Sequence, residues 1–240
     1  MNKLLKYLKM VVVFVLIVSS TYLMAEVIVV SDIDDTIRAT NVLNRSEMII
    51  NALRGFKSFP RLIDIYCDIN DYYRKKGEDV TFYYLSAAPR KLSVDSWLES
   101  NNAPKGIVQQ RRNRDIFGSP EDYKFGYLKK FLLDKKRIAD ENNDELEVIM
   151  FGDNGEKDPI VYKRIMEDKD IKINNMKAYI RKVTSAGAFF PKINYFYSEK
   201  DLLEDFALVV DPQLKIQIES EYAQGTLVPE YVVEANGLRQ

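Results

Sequence analysis

A buried strand that ends in an acidic motif is the feature that most limits how this chain can fold. The apolar run from Val27 to Val30 leads to Asp32 and Asp34, with Thr36 two residues further on. If the strand continues, alternation of side chains puts both acids on one face. If it ends here, a loop aims both acids into one crevice, and open parallel sheets bind ligands at the carboxyl ends of their strands. An ordinary acidic turn after a strand is the alternative.

Two carboxylates in one crevice have a chemical consequence. They repel each other, so the site needs a cation, most simply Mg²⁺, which prefers oxygen ligands. A carboxylate held in this way can also be a nucleophile, as in enzymes that form an aspartyl-phosphate. The acidic motif alone leaves this chemistry and the ordinary turn equally plausible, so the rest of the chain has to decide between them.

Two later apolar runs, at 80–85 and 146–151, also end in polar residues. Short apolar runs of this kind are typical of buried strands. The first is followed by a serine and the second by a glycine and a group of acids, while a lysine between them opens an apparent helix. Acid pair, hydroxyl, lysine and acid cluster form a set that phosphoryl transfer can use. In chain order the set is Asp32, Asp34, Ser86, Lys124, Gly152, Asp153 and Asp158.

The order of these residues resembles that of the four motifs of the haloacid dehalogenase-like (HAD-like) phosphohydrolases. The matching positions are Asp32, Asp34 and Thr36 for the first motif, Ser86 for the second, Lys124 for the third, and Gly152, Asp153 and Asp158 for the fourth. The fuller strings at 31–37, 84–89 and 152–159 resemble the App1-type phosphatidate phosphatase catalytic domain. The resemblance runs from about Val27 to Val210.

The alternation of strand and helix patterns predicts an α/β fold with a mainly parallel sheet, and the resemblance implies a three-layer, Rossmann-like (HAD-like) arrangement. Strands are expected near 26–31, 80–85, 107–110, 146–151, 177–182 and 193–197. Helices are expected at 63–73 with an end near Gly77, at 92–98, at 125–138, at 161–167, from a capping box at Ser198–Asp201 through Val210, and at 213–223.

The segment from Arg38 to Pro60 stands where this superfamily places a cap over the site. Roughly 20 residues can form only a small helical flap, so the resemblance implies a minimal cap and a fairly open site. An ordinary helix packed on the sheet fits the segment equally well. An open, apolar-edged mouth would suit a bulky or membrane-borne phosphate ester.

The N-terminal residues 1–25 differ from the rest of the chain. They combine early lysines with an unbroken apolar run from Met10 to Val18, the pattern of a secretory signal peptide. Leu23 stands where a small residue is preferred, so retention as a membrane anchor stays open. Either way, export to a bacterial periplasm or envelope is predicted. The expected organisation is 1–25 signal peptide, 26–210 HAD-like phosphatase catalytic domain and 211–240 C-terminal extension.

Charge and composition exclude several function classes. The formal net charge is −1, so no broad basic field favours nucleic acid as a partner. The chain has no histidine, which excludes histidine-based triads, general bases and metal ligands. Cys67 is the only cysteine, so an intramolecular disulfide is impossible. Acid–base work therefore falls to carboxylates or lysine.

The resemblance implies a role for each residue of the first three motifs. Asp32 attacks phosphorus and forms a phosphoaspartate, while Asp34 protonates the leaving alcohol and then activates the hydrolytic water. Thr36 fixes the turn through its hydroxyl. Ser86 binds a phosphate oxygen, and Lys124 neutralises charge on the nucleophile and on the transferring group.

The resemblance also implies the metal ligands. Mg²⁺ is bound by the carboxylates of Asp32 and Asp153 and by the backbone carbonyl of Asp34. Asp158 either ligates a metal-bound water or orients Lys124, and as an acid at a helix N-terminus it would also be ordinary.

Two features lie beside the motifs. Asn154 stands where many relatives carry a second acid, which would make the outer shell of the metal less negative. A basic cluster of Arg111, Arg112 and Arg114 could bind an anionic head group, or could belong to a solvated loop.

The predicted function is Mg²⁺-dependent hydrolysis of a phosphomonoester through an aspartyl-phosphate, with phosphatidate or a related lipid phosphate as substrate. Such an enzyme should bind anionic vesicles, so a membrane surface is an expected partner. One alternative keeps the chemistry and acts on soluble esters such as nucleotide or sugar phosphates. Another is a non-catalytic phospho-ligand-binding domain. Neither the natural substrate nor the oligomeric state follows from the sequence.

Overall fold

The computed structural model of the chain describes residues 25–41, 44, 57–59, 61–89, 94–111, 118–228 and 230–237. Residues 1–24 of the predicted signal peptide, residues 45–56 of the predicted flap, and Arg112 and Arg114 lie outside this part of the chain. Within the described part, no helix has both the length and the apolar character needed to cross a membrane.

The core of the molecule is one parallel sheet of six strands. The described residues form eight strands, and the sheet contains β1 and β4 to β8. In chain order the strands are β1 (Ala25–Ser31), β2 (Arg38–Ala39), β3 (Lys57–Ser58), β4 (Asp79–Pro89), β5 (Gly106–Arg111), β6 (Glu145–Asp153), β7 (Asn175–Arg181) and β8 (Asn194–Phe196). The sheet order is β5-β4-β1-β6-β7-β8, and every neighbouring pair is parallel. β2 and β3 form a separate antiparallel hairpin. The predicted parallel α/β sheet is confirmed, and all six predicted strands are present.

Strand β1 lies in the middle of the sheet and is buried on both faces. Val27 and Val29 pack into the core on one side, while Ile28 and Val30 pack into the core on the other. A strand covered on both faces reads as a continuous apolar run, which explains why β1 was recognisable from the sequence. Its carboxyl end therefore opens in the centre of the sheet, between β4 and β6.

Helices cover both faces of the sheet and give the predicted three layers. They are α1 (Leu62–Lys75), α2 (Val94–Ser100), α3 (Pro120–Asn142), α4 (Asp158–Glu167), a 3₁₀ helix (Glu199–Leu202), α5 (Pro212–Ala223) and α6 (Glu230–Ala235). One core contains residues of α1, the 3₁₀ helix and α5, and the other contains residues of α3 and α4. Gly77 has a positive φ of 82° just after α1, which confirms the predicted helix end.

Helix α3 begins five residues earlier than the apolar pattern indicated. Ser119 is the N-cap, and its hydroxyl accepts a hydrogen bond from the Asp122 backbone N–H at 2.9 Å. Pro120 follows at the first helical position, which proline favours. The lysine of the third motif therefore lies in the second turn of the helix and does not open it.

The predicted helix from Ser198 through Val210 is wrong in its length. Half of the capping box forms, with the Asp201 carboxylate accepting from the Ser198 backbone N–H at 3.2 Å. Only a 3₁₀ turn follows, and residues 203–209 form further turns. These turns bury Leu203 and Phe206 in the core, so packing overrides the local helical pattern.

The two ends of the predicted flap segment lie side by side. Arg38 pairs with Ser58 in the β2–β3 hairpin, and the Phe59 N–H donates to the Ile37 carbonyl at 2.8 Å. Phe59 is 1% exposed and so closes the base of the segment against the core. The segment between β2 and β3 therefore starts and ends next to the acidic motif, and the predicted cap itself lies outside the described residues.

Candidate active site

The predicted site residues meet at the carboxyl edge of the sheet. They come from the loop after β1, the end of β4, the second turn of α3, the end of β6 and the first turn of α4. These residues are Asp32, Asp34, Thr36, Ser86, Lys124, Asp153 and Asp158, and all of them are buried. The Asp32 backbone N–H donates to the Phe151 carbonyl at 2.9 Å, which ties the acidic motif to the neighbouring strand.

Lys124 links the first and last motifs. Its ammonium lies 2.7 Å from Asp32 Oδ1, 2.6 Å from Asp158 Oδ1 and 2.8 Å from Glu156 Oε2. The lysine side chain is 1% exposed, so these bonds form away from bulk water. The Thr36 hydroxyl donates to Asp32 Oδ2 at 3.3 Å. The predicted nucleophile is thus held at both oxygens, and Asp158 orients Lys124, one of the two roles left open for it.

Asp34 is held by two different partners. Arg38 donates to Asp34 Oδ1 through Nε at 3.1 Å and through Nη2 at 2.5 Å. The Ser86 hydroxyl donates to Asp34 Oδ2 at 3.3 Å. Sequence reasoning placed Arg38 in the flap and did not connect it with the site. The sequence did contain a signal for this contact, because Arg38 stands four residues after Asp34 in a tight turn.

Asp35, the third acid of the motif, has a structural role. It has a positive φ of 56°, and its Oδ1 accepts from the Thr40 N–H at 2.8 Å and from the Asn41 N–H at 2.7 Å. The residue is fully buried, so it is not a solvated surface acid. It fixes the turn that carries Asp34 and Arg38.

Asp153 presents a carboxylate oxygen that lacks a partner. Its Oδ1 accepts from the backbone N–H groups of Gly155 at 2.7 Å and Glu156 at 3.1 Å. Its Oδ2 is buried and has no hydrogen-bond partner in the described part of the chain. Burying a carboxylate oxygen without a partner is costly. A bound cation would remove that cost.

Gly152 is required by the closeness of α4 to the end of β6. A Cβ atom at this position would lie 2.7 Å from Asp158 Cβ and 2.9 Å from Tyr162 Cε2. The absence of a side chain lets Asp158 reach back, and its Oδ2 accepts from the Asp153 N–H at 3.3 Å. The glycine of the fourth motif therefore allows two acids to share one pocket.

Glu156 is a site residue that sequence reasoning missed. One carboxylate oxygen from each of Asp32, Glu156 and Asp158 lies within 4.8 Å of the others, a spacing that could hold a metal ion. The set offers only hard oxygen donors, which suits Mg²⁺ better than a softer metal. The sequence contained a signal for Glu156 as a site residue, because it lies between the two acids of the fourth motif.

Asn154 binds a neighbouring loop through its side-chain amide, and its effect on the metal's outer shell stays a prediction. Its Oδ1 accepts from the Val183 N–H at 2.8 Å and from the Thr184 N–H at 3.1 Å. Its Nδ2 donates to the carbonyls of Thr184 at 2.7 Å and Ala186 at 3.3 Å. This amide ties the loop after β7 to the turn that follows Asp153.

Burial shifts the protonation equilibria of the site. The pKa values of Asp32, Asp34, Asp153 and Asp158 are raised, with burial as the largest cause. Lys124 opposes this for Asp32 and Asp158, and Arg38 opposes it for Asp34. Burial alone would lower the pKa of Lys124, but the surrounding carboxylates raise it well above its usual value. The lysine is therefore a fixed positive charge at neutral pH.

Of the predicted basic cluster, only Arg111 belongs to the described residues. It ends β5, donates to the Gly118 carbonyl, and lies 6.0 Å from the centre of the Tyr123 ring. These contacts place Arg111 in the wall formed by β5 and the start of α3. The predicted binding of an anionic head group stays a prediction.

One of the comparisons with known proteins gives a match. The family model for the catalytic domain of the phosphatidate phosphatase APP1 matches residues 27–182. The matched part includes every predicted site residue and ends just after β7. No curated protein and no solved structure matches the chain significantly.

Proposed function

The chain belongs to the family of App1-type phosphatidate phosphatase catalytic domains, and on that premise we propose that it is an exported, Mg²⁺-dependent phosphomonoesterase. We propose phosphatidate or a related lipid phosphate as its substrate and HAD-type chemistry through an aspartyl-phosphate on Asp32. The observation that carries the proposal is the contact between Lys124 and Asp32 at 2.7 Å, beside an Asp34 carboxylate held by Arg38 and Ser86.

Asp32 is the proposed nucleophile. Lys124 binds one carboxylate oxygen and Thr36 the other, which fixes the direction of the carboxylate. Attack forms a bond between an Asp32 oxygen and phosphorus, while the bond from phosphorus to the ester oxygen breaks. Lys124 offsets the negative charge that develops on the transferring group. A preorganised cation of this kind needs no reorganisation during the reaction.

Asp34 is the proposed general acid and base. In its protonated form it gives a proton to the leaving alkoxide, and the resulting carboxylate then takes a proton from the water that hydrolyses the phosphoaspartate. Burial raises the pKa of Asp34, which favours the protonated form needed first. Arg38 and Ser86 hold its two oxygens, so the carboxyl group keeps one orientation in both steps.

The acids that remain fit a divalent cation. The site holds more carboxylates than cationic side chains, and Asp153 Oδ2 is buried without a partner among the described residues. Asp32 and Asp153, together with the Asp34 carbonyl, would hold Mg²⁺, with Glu156 and Asp158 nearby. When bound, the ion supplies charge neutralisation that lets an anionic phosphate approach an anionic nucleophile.

The deciding experiment measures phosphate release from a substrate panel. It contains phosphatidate in mixed micelles, a nucleotide monophosphate, a sugar phosphate and an aryl phosphate, each with Mg²⁺ and with chelator. We expect Mg²⁺-dependent release with the highest kcat/KM on phosphatidate. Asp32→Asn is the matched control for contaminating phosphatase. Higher efficiency on the soluble esters would move the substrate assignment to the soluble class and leave the chemistry intact. No release from any substrate would contradict the proposal.

A further inference from the structure

The loop between β7 and β8, residues 182–193, differs in charge from the rest of the chain. Charged residues make up 30% of the chain, yet this loop contains lysines at its two ends and no acid. Its middle has the sequence Ala186-Gly-Ala-Phe-Phe-Pro191. We refer to residues 182–193 as the aromatic loop.

The tip of the aromatic loop exposes a large apolar side chain. Phe189 is 70% exposed, although its ring stacks on Tyr195 at 4.8 Å between centroids. Phe190, next in the chain, is half-buried and lies under the Lys163 ammonium at 5.4 Å. The loop is therefore packed on one side, and it presents one ring outward from a supported position.

The aromatic loop is attached to the active site through Asn154. Besides the four hydrogen bonds already described, the ideal Cβ position of Gly187 lies 3.4 Å from the Asn154 carbonyl oxygen. Phe189 is two residues further on, a distance of at most about 7–8 Å of chain. Asn154 directly follows Asp153. The exposed ring thus belongs to the rim of the site, on the edge of the sheet where the acids meet.

We propose that the aromatic loop docks the enzyme onto an anionic lipid surface by inserting Phe189 between lipid head groups. The proposal deepens the proposed function and rests on it, because a phosphatidate molecule keeps its phosphate at the membrane surface. The apolar face of a surface-bound amphipathic helix lies about 5–10 Å into the boundary between head groups and acyl chains, and an inserted ring would reach the same layer. With Phe189 seated there, the acid cluster faces the layer that holds the substrate phosphate.

Charge complementarity favours a lipid surface as the occupant. Lys182 and Lys192 flank the apolar tip in the sequence, and Lys163, which also pairs with Glu167 at 2.8 Å, lies over the Phe190 ring. Basic residues around an exposed aromatic ring suit an anionic interface. The catalytic acids are buried, so the rim around Phe189 does not expose them to the lipid surface.

A label beside Phe189 tests insertion without any turnover. In the full chain with Cys67→Ala, an environment-sensitive dye is attached at Ala188→Cys, whose side chain is exposed. The matched control carries the dye at Leu208→Cys. Leu208 is 85% exposed and lines a cavity with Ala25 and Glu145, the first residues of β1 and β6, so it lies at the opposite edge of the sheet. The probe is a vesicle of phosphatidylcholine and phosphatidylglycerol, which is anionic and is not a phosphomonoester.

We expect a blue shift of the dye at position 188 with anionic vesicles and none at position 208. Adding Phe189→Ser to the protein labelled at 188 should weaken vesicle affinity about 10- to 100-fold, the value of burying one such ring. Phe189→Ser should also lower hydrolysis of vesicle phosphatidate and leave hydrolysis of an aryl phosphate unchanged.

The results separate the docking proposal from the proposed function. A Phe189-dependent shift in a protein that releases no phosphate from phosphatidate supports docking and contradicts the substrate. Unchanged vesicle affinity and unchanged vesicle hydrolysis in Phe189→Ser would overturn docking and leave the substrate in place. A change in the oligomeric mass of Phe189→Ser without vesicles, with no dye shift, would overturn it in favour of contact between two copies.

Discussion

Two buried ion-pair clusters lie at the same edge of the sheet and differ in their balance of charge. At the end of β7, Arg181 Nη2 donates to Glu199 Oε1 at 2.7 Å, and both residues are fully buried. Around Lys124, one cation is shared by the three carboxylates of Asp32, Glu156 and Asp158. The first cluster is balanced one to one, whereas the second has an excess of negative charge.

The surroundings of the two clusters also differ. The Arg181 guanidinium lies between two aromatic rings, 4.0 Å from the centre of Phe59 and 4.8 Å from that of Phe196. Its Nε donates to the Thr36 carbonyl at 3.1 Å, so the pair supports the loop after β1 that carries Asp32. Arg181 is thus a positioning residue that braces the loop and the base of the flap.

The comparison indicates which feature marks a reactive site. Both clusters hold a buried oxygen without a described hydrogen-bond partner, Asp153 Oδ2 in one and Glu199 Oε2 in the other. An unpaired oxygen alone therefore does not identify a cation site. Excess negative charge is what distinguishes the Lys124 cluster, because repulsion among buried carboxylates is relieved by protonation or by a cation. Removing single groups from each cluster tests this distinction.

The largest effect is expected for Asp32→Asn. Turnover should fall to background, since an amide is not an effective nucleophile. Stability should change little, because Lys124 keeps Asp158 and Glu156 as partners. Phosphate release and urea unfolding measure the two properties on the same protein. Near-native activity in this variant would mean that another residue is the nucleophile.

Removal of divalent metal should also abolish activity, and Mg²⁺ should restore it. The acid-rich cluster needs a cation to accept an anionic phosphate. Activity after exhaustive chelation and after back-titration with Mg²⁺ gives the result. Asp153→Asn should raise the Mg²⁺ concentration needed for half-maximal activity, since it removes the charge of a carboxylate whose Oδ2 has no partner among the described residues. Full activity in chelated protein would contradict the proposal that the acid-rich cluster binds a catalytic cation.

Asp34→Asn should slow the reaction unequally across substrates. The alkoxide leaving group of phosphatidate needs a proton, so its loss should be about 10²–10⁴-fold. A nitrophenolate leaves without one, so the first step on an aryl phosphate should change little, and phosphoenzyme should accumulate as a burst. Single-turnover measurements on both esters give the comparison. Equal losses in the chemical step, with no trapped phosphoenzyme, would contradict the assigned role.

The smallest effect on chemistry and the largest on stability are expected for Glu199→Gln. Arg181 would keep a buried charge without its carboxylate, which costs about 3–5 kcal/mol. Glu167→Gln is a matched control, because Glu167 pairs with Lys163 at a surface position where ion pairs contribute little. Urea unfolding of both variants measures the difference. A Glu199→Gln protein as stable as the control would show that this pair is not a structural support.

The fold and most of the site were predictable, because strand ends are strong signals. Apolar runs that stop at Asp32, Ser86 and Asp153 identified three strands of one edge, and parallel topology brings such ends together. Sequence reasoning could not supply Arg38 and Glu156, since their roles depend on how far a side chain reaches within a turn. Their spacing from the motif acids was visible, but its meaning required the backbone path.

The missed pair of Arg181 and Glu199 has a different explanation. The two residues are 18 positions apart and stand outside every motif. Arginine at a strand end and glutamate at a helix start are common surface residues, so no local pattern distinguishes a buried pair from two solvated charges. The same limit applies to Asn154, whose amide accepts from Val183, 29 residues later in the chain.

The central position of β1 affects the stage of chain synthesis at which activity can first appear. The nucleophile strand is synthesised before both of its sheet neighbours, and the lysine that binds Asp32 follows 92 residues later. Asp158 and its turn come later still. Because chains are made from the N-terminus, a nascent or truncated polypeptide that ends before α4 has Lys124 but lacks Asp158, the carboxylate that accepts from Lys124 at 2.6 Å. We expect such a chain to be catalytically silent, so that activity first appears only after α4 has been added.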